Sequence, residues 1–128
     1  MTAEEEIEHQ LDLWNIALCS ANPVGVSELY SEDSVLLPTF SNRLRRGRSE
    51  ICDYFEHFLI NRPYVEIVQS NIRVIGEFAS NSGIYNFHFS QGPIECFQGR
   101  FTFVYRKDGE EWFILQHHSS AIPEECAK

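Results

Sequence analysis

The sequence predicts an α+β fold in which about three N-terminal helices pack on a curved, mostly antiparallel sheet supplied by the second half of the chain. Three observations carry this. Apolar residues recur at helical spacing as far as Asn61 and alternate singly after Pro63. Turn signals at Gly76, at Gly92 with Pro93, and at Asp108 with Gly109 cut the second half into strand-sized lengths joined by short turns. The chain also has 128 residues, the size of one domain spanning 1–128, which buries roughly two-thirds of its unfolded surface without disulfide or metal staples.

Thr2 with Glu5 forms a capping box, and Ile7, Leu11, Trp14 and Leu18 follow as an apolar stripe, so the first helix is predicted over about residues 3–21. Asn22 and Pro23 stop it. A short helical turn is expected around Val26 to Tyr30 before Ser31, Glu32 and Asp33 break the pattern, and Val35, Leu36 and Leu37 read as a short buried strand. Ser49 is the expected N-cap of a further helix, with Glu50 and Asp53 complementing its dipole. Its stripe is Ile51, Tyr54, Phe55, Phe58 and Leu59, and Pro63 ends it near Asn61. Strands are placed at about 64–76, 82–90, 94–107 and 111–122, as an antiparallel meander with the helices on one side.

Composition excludes some functions. The 43% apolar and 13% aromatic content, with 10 Phe, is that of a packed core. A formal charge of -9 repels a phosphate backbone, so no nucleic-acid partner is expected. The one basic cluster, Arg43, Arg45, Arg46 and Arg48, reads either as a solvated loop or as a local anion site. No apolar run resembles a signal segment or approaches the roughly 18 residues of a membrane span, so a cytoplasmic location without membrane contact is expected. Cys19, Cys52, Cys96 and Cys126 lack the paired spacing of zinc sites and are read as buried thiols, with no metal and no cofactor.

The strands are apolar on both faces. Alternation puts Phe97, Phe101, Phe103 and Tyr105 on one side and Arg100, Thr102, Val104 and Arg106 on the other. Tyr85, Phe87 and Phe89 oppose Ile84, Asn86 and His88, while Trp112, Ile114, Gln116 and His118 oppose Phe113, Leu115, His117 and Ser119. The mixed row of Asn86, His88, Arg100, Thr102, His117 and Ser119 suits the partly polar pocket of a helix-covered cone. The aromatic row, Tyr85, Phe87, Phe101, Phe103 and Tyr105, suits a subunit interface together with Ile114 and His118, because an exposed patch of that size promotes aggregation. The alternative swaps the rows, with aromatics under the helices and the mixed row facing water. On the first reading the chain is a homo-oligomer, at least a dimer.

Several segments resemble a known family: V-I-G-E at 74–77, G-R-F-T-F-V-Y-R-K-D-G at 99–109 and W-F-I-L-Q-H-H-S-S-A-I-P at 112–123, with Trp14, L-Y-S-E-D-S-V-L-L-P at 29–38 and Y-F-E-H-F-L of the later helix. Together they look like bacterial NTF2-like proteins related to the association (hub) domain of calcium/calmodulin-dependent protein kinase II. The resemblance implies an NTF2-like (cystatin-like) cone that dimerises and stacks into larger rings. It carries no kinase segment and no basic amphipathic helix for calmodulin, so kinase or calmodulin function is not expected. The hub pocket holds arginines that can bind a carboxylate. The matching positions here carry Asn86, Thr102 and Ser119, and Arg100, on the same face as Thr102, would supply the cation for a small anionic ligand; an apolar organic ligand is the other expectation.

Trp14, Tyr54 and Phe58 project from helices toward the sheet as core or as pocket wall, so the expected ligand-binding set is Trp14, Tyr54, Phe58, Asn86, His88, Arg100, Thr102 and His117. The same superfamily includes ketosteroid isomerase-like and SnoaL-like cyclase enzymes, and that resemblance makes a pocket histidine (His88, His117 or His118) the alternative, catalytic reading. Glu95 is the nearest strand carboxylate but alternates with the aromatic row, unless a bulge near Gly99 shifts the register. His117 and His118, as strand neighbours, point to opposite faces and cannot chelate one ion.

Overall fold

In a computed structural model describing residues 1–123, helix α1 (Ala3–Cys19) starts at the capping box: the Thr2 N–H donates to Glu5 Oε1 at 2.9 Å and the Glu5 N–H to Thr2 Oγ1 at 3.1 Å. Its buried stripe is Ile7, Leu11, Trp14 and Leu18. Pro23 begins a helix as well as ending one. Its fixed φ and missing N–H suit the first helical position, and Asn22 Oδ1 caps the Val24 N–H at 3.1 Å, so the short α2 spans Pro23–Ser27 and Tyr30 already belongs to strand β1 (Tyr30–Leu37). This corrects the turn expected at Val26 to Tyr30.

After the two-residue β2 (Arg45–Arg46), α3 spans Gly47–Phe58 and is continued by a 3₁₀ turn, Leu59–Asn61. Its N-cap is Arg46 and not Ser49, so the helix starts three residues earlier than expected, and the Glu50 carboxylate in its first turn accepts the Arg46 N–H at 3.0 Å. The arginines of this loop find partners within the chain. Arg45, buried, donates to Asp53 Oδ2 at 2.7 Å and to the Glu50 carbonyl at 3.0 Å, and Arg48 Nε donates to the Tyr30 carbonyl at 2.7 Å.

The remaining strands are β3 (Pro63–Ile75), β4 (Phe78–Phe89), β5 (Cys96–Asp108) and β6 (Glu111–Ala121). The sheet order is β2-β1-β6-β5-β4-β3, antiparallel throughout except for the parallel β1 and β6 pair. Gly76 and Gly109 take φ of 61° and 63° at the two tight hairpins, a conformation that costs other residues a steric clash.

Two bulges set what faces the helices. On β6, Ile114 pairs with Tyr105 and Gln116 with Val104, leaving Leu115 unpaired. Parity therefore flips, and Trp112, Ile114, His117 and Ser119 all point inward, where strict alternation separates the first two from the last two. On β3 the extra residue is Val68, between Ile67 and Gln69. Gly83 lies against that bulge, and a Cβ built there would sit 1.8 Å from the Gln69 carbonyl oxygen. Gly83→Ala is accordingly expected to destabilise the protein by about 1–3 kcal/mol. Urea unfolding checks this, and an unchanged midpoint would contradict the register. No bulge occurs at Gly99; it makes room for Tyr85, whose Cε1 would meet a Cβ at 3.1 Å.

The helices cover the aromatic row. Tyr85, Phe87, Phe101, Phe103, Tyr105 and Ile114 are all buried, packed with α1 and α3. Their expected place at a subunit interface is corrected. Burying the large rings removes far more apolar surface from water than burying Asn86, Arg100 and Thr102, which stand on the opposite face together with His88 and His118. Cys19 and Cys96 are exposed and Cys52 is half-buried, all as free thiols, against the expectation of burial; Cys126 lies outside the described residues. No described helix is long and apolar enough to cross a membrane.

Candidate functional site

At the centre of the cone Trp14 anchors the packing, stacked on Tyr85 at 6.0 Å between ring centroids and edge-on to Phe103 and His117, both at 5.4 Å. His117 is fully buried, lies flat on Phe103 at 3.9 Å, and uses both ring nitrogens. One direction of hydrogen bonding gives every member a partner. The Trp14 N–H can only donate, and does so to the Tyr30 hydroxyl at 3.2 Å. The Tyr30 O–H then donates to His117 Nδ1 at 2.8 Å, which assigns the proton to Nε2, and Nε2–H faces the Tyr85 oxygen at 3.3 Å. Tyr85 donates to Ser119 Oγ at 2.5 Å, and Thr39 Oγ1 donates to the same oxygen.

This hydrogen-bonded network is uncharged from end to end. Desolvation, and behind it the charge of neighbouring His118, pushes the His117 pKa down to about 3, so the imidazole is neutral at physiological pH. Burial drives Tyr30 and Tyr85 above the ordinary phenol range, so both remain hydroxyls. His117 is a poor general base in this arrangement, since its one lone pair already accepts from Tyr30.

Next to the network, a cavity of about 270 Å³ is walled by Tyr54, His57 and Phe58 of α3, by Asn61, by Phe89 of β4, by Pro93 and Ile94 of the following loop, and by Phe40. A second space of only about 20 Å³, lined by Trp14, Thr39, Tyr85, His117 and Ser119 among others, reaches the hydroxyls; Phe40, Tyr54 and Phe58 border both. Of the expected ligand-binding residues, the structure brings together Trp14, Tyr54, Phe58 and His117. Asn86, His88, Arg100 and Thr102 are on the outer face of the sheet, where Glu66 Oε1 accepts from Asn86 Nδ2 at 3.2 Å and lies 3.4 Å from His88 Nε2. Arg100 is exposed there and cannot hold an anion inside the cone. Glu95 is in the exposed loop between β4 and β5 rather than in a strand.

Tyr30, Thr39 and Phe40 escape sequence reading. A phenylalanine in the otherwise polar stretch after Pro38 is the one available signal.

A family model for the calcium/calmodulin dependent protein kinase II association domain matches residues 3–123. A structure from Xanthomonas campestris described under the same association-domain name is 41% identical, covers 94% of this chain and 88% of its own, and superposes with a TM-score of 0.90. An NTF2-like protein of unknown function from Pseudomonas putida is 22% identical over 94% of this chain and 87% of that one, with a TM-score of 0.82. A protein from Streptomyces avermitilis, named for dehydratase activity within the NTF2-like family, is 17% identical over 96% and 98%, with a TM-score of 0.83; at that identity it shows the fold alone. No curated protein sequence matches the chain. The family match from one end of the described fold to the other, and a relative so similar in sequence and shape, establish that the chain belongs to the calcium/calmodulin dependent protein kinase II association domain family and has its NTF2-like fold.

Proposed function

We propose that this protein is a self-associating domain, at least a dimer, that pairs through the outer face of its sheet and takes a small organic molecule into the mouth of its cone. The observation that carries the pairing is the outer face of the sheet, which no described helix covers. All three helices lie on the other side, and the outer surface of β4, β5 and β6 combines half-buried Ile84 and Val104 with Asn86, Arg100, Thr102 and His118. A mixed apolar and polar surface of this kind, with arginine and histidine among aliphatic side chains, has the composition of a subunit contact. The association-domain family supports the same reading.

Light scattering after gel filtration tests it. The expected mass is at least twice the 14.9 kDa of one chain. Thr102→Glu, which sets a carboxylate in the middle of the proposed contact, is expected to return the mass to 14.9 kDa without unfolding the chain, because Thr102 is exposed within one subunit. A wild-type monomer at about micromolar concentration would remove the pairing proposal, since stable dimers hold together in that range.

The outer cavity carries the second part. Its rings and its open side suit an organic ligand, and its position over a buried hydrogen-bonding group follows the usual build of a binding site, apolar walls with a few convergent polar atoms.

A further inference from the structure

The two cavities meet at a partition whose members differ in kind. Tyr54 and Phe58 belong to α3, are stacked at 5.6 Å and are fixed by the helix. Phe40 belongs to no helix or strand; the residue is 41% exposed and its ring is held by contacts to Phe97 at 4.7 Å, Phe58 at 5.9 Å and Phe89 at 6.1 Å. Its chain neighbour Thr39 is the residue that donates to Ser119 Oγ. One short irregular segment therefore holds both the ring that closes the inner space and the hydroxyl that occupies Ser119. Displacing it would open the partition and free that acceptor in a single movement.

The lining also defines the ligand's charge. Among the described residues no Lys, Arg, Asp or Glu side chain borders either cavity, and the buried network offers only hydroxyls, one indole N–H and a neutral imidazole. A carboxylate or ammonium moved there would lose its hydration with no counter-charge. Size follows from volume: a dry cavity of about 150 Å³ takes a benzene ring, so 270 Å³ accommodates roughly ten non-hydrogen atoms by proportion.

Resting on the pocket reading above, we infer that the ligand is an uncharged, largely apolar molecule of about ten non-hydrogen atoms with a single hydroxyl end, and that it displaces Phe40 and Thr39 so that its hydroxyl donates to Ser119 Oγ in place of Thr39, beside Tyr85. This is the opposite charge preference to a carboxylate-binding pocket.

The probes are cinnamyl alcohol, cinnamate and propenylbenzene, titrated by calorimetry at about pH 8, where cinnamate is fully ionised. Cinnamyl alcohol is expected to bind at least about tenfold more tightly than cinnamate. Ser119→Ala is expected to weaken the alcohol by about tenfold, the worth of one hydrogen bond, and to leave propenylbenzene unchanged. Phe40→Ala, at an exposed position, is expected to speed association of the alcohol severalfold in stopped-flow measurements of tryptophan emission. Cinnamate binding as tightly as the alcohol, an association rate indifferent to Phe40→Ala, or a Ser119→Ala protein that folds and binds the alcohol unchanged would overturn the inference while leaving the pocket standing. If Ser119→Ala does not fold, Thr39→Val, which frees Ser119 and should tighten the alcohol, takes its place, and no change there overturns the inference equally. Failure of all three probes to bind either wild type or Phe40→Ala would overturn the pocket reading itself.

Discussion

Trp14→Ala is expected to lower the unfolding free energy by about 3–5 kcal/mol, the range found when a large buried aromatic is truncated and the surroundings relax only in part. The residue is 1% exposed and its ring meets Tyr85, Phe87, Phe103 and His117, which come from three different strands of the sheet. Truncation leaves a cavity that those rings, fixed on neighbouring strands, cannot all move to fill. It also removes the donor that fixes the direction of the hydrogen-bonded chain, so the Tyr30 hydroxyl is no longer held to donate to His117. Trp14→Phe keeps most of the ring contact but lacks the N–H, and should cost less than half as much. Total stability in domains of this size is commonly about 5–15 kcal/mol, so the alanine variant would lose a substantial share of it. Urea denaturation followed by far-UV circular dichroism reads the difference; a loss below about 1 kcal/mol would mean that Trp14 is a peripheral contact and not the centre of the cone.

Much of this core was legible in the sequence and its orientation was not. The α1 stripe reads directly, since Ile7, Leu11, Trp14 and Leu18 recur at the helical period and all four are buried. Within β4 and β5, alternation places Tyr85 and Phe87 in one row with Phe101, Phe103 and Tyr105, and the structure keeps them in one layer. What alternation cannot say is which layer the helices cover. That is decided by the apolar area available to α1 and α3, whose own stripes are aliphatic and aromatic and gain more from rings than from Arg100 or Thr102. The β6 bulge was invisible for a different reason. Ile114 and His117 share a face only because Leu115 is unpaired, and Leu115 carries no glycine or proline signal to betray a bulge. Half of the expected ligand-binding set therefore lies inside the cone and half outside, and the misplaced half are the residues chosen by their polarity.

His117 makes stability depend on pH with a calculable sign. In the unfolded chain its imidazole takes up a proton below about pH 6.5, whereas burial in the native state delays uptake to about pH 3. Between those values the unfolded state binds the extra proton, so stability is full above about pH 6.5 and falls as pH drops, by up to about 1.4 kcal/mol per pH unit from this one group. Asp33, held at about 2 by its paired bonds to Arg106, loses its own contribution only below the ordinary carboxylate range, so the upper part of the window belongs to the histidine. A single acid titration sums over every ionisable group, and a difference measurement isolates this one. His117→Gln deletes the titrating group while keeping an amide able to donate and accept. At about pH 7.5 the variant should be the less stable protein by roughly 1–3 kcal/mol, because the Tyr30 and Tyr85 hydroxyls lose a well-placed partner. As pH is lowered to about 5 the wild type loses its advantage while the variant does not, and the two urea midpoints should converge. A gap that stays constant over that interval would show that His117 titrates alike in the folded and unfolded chains, and the closed, uncharged interior on which the ligand's neutrality rests would have to be abandoned.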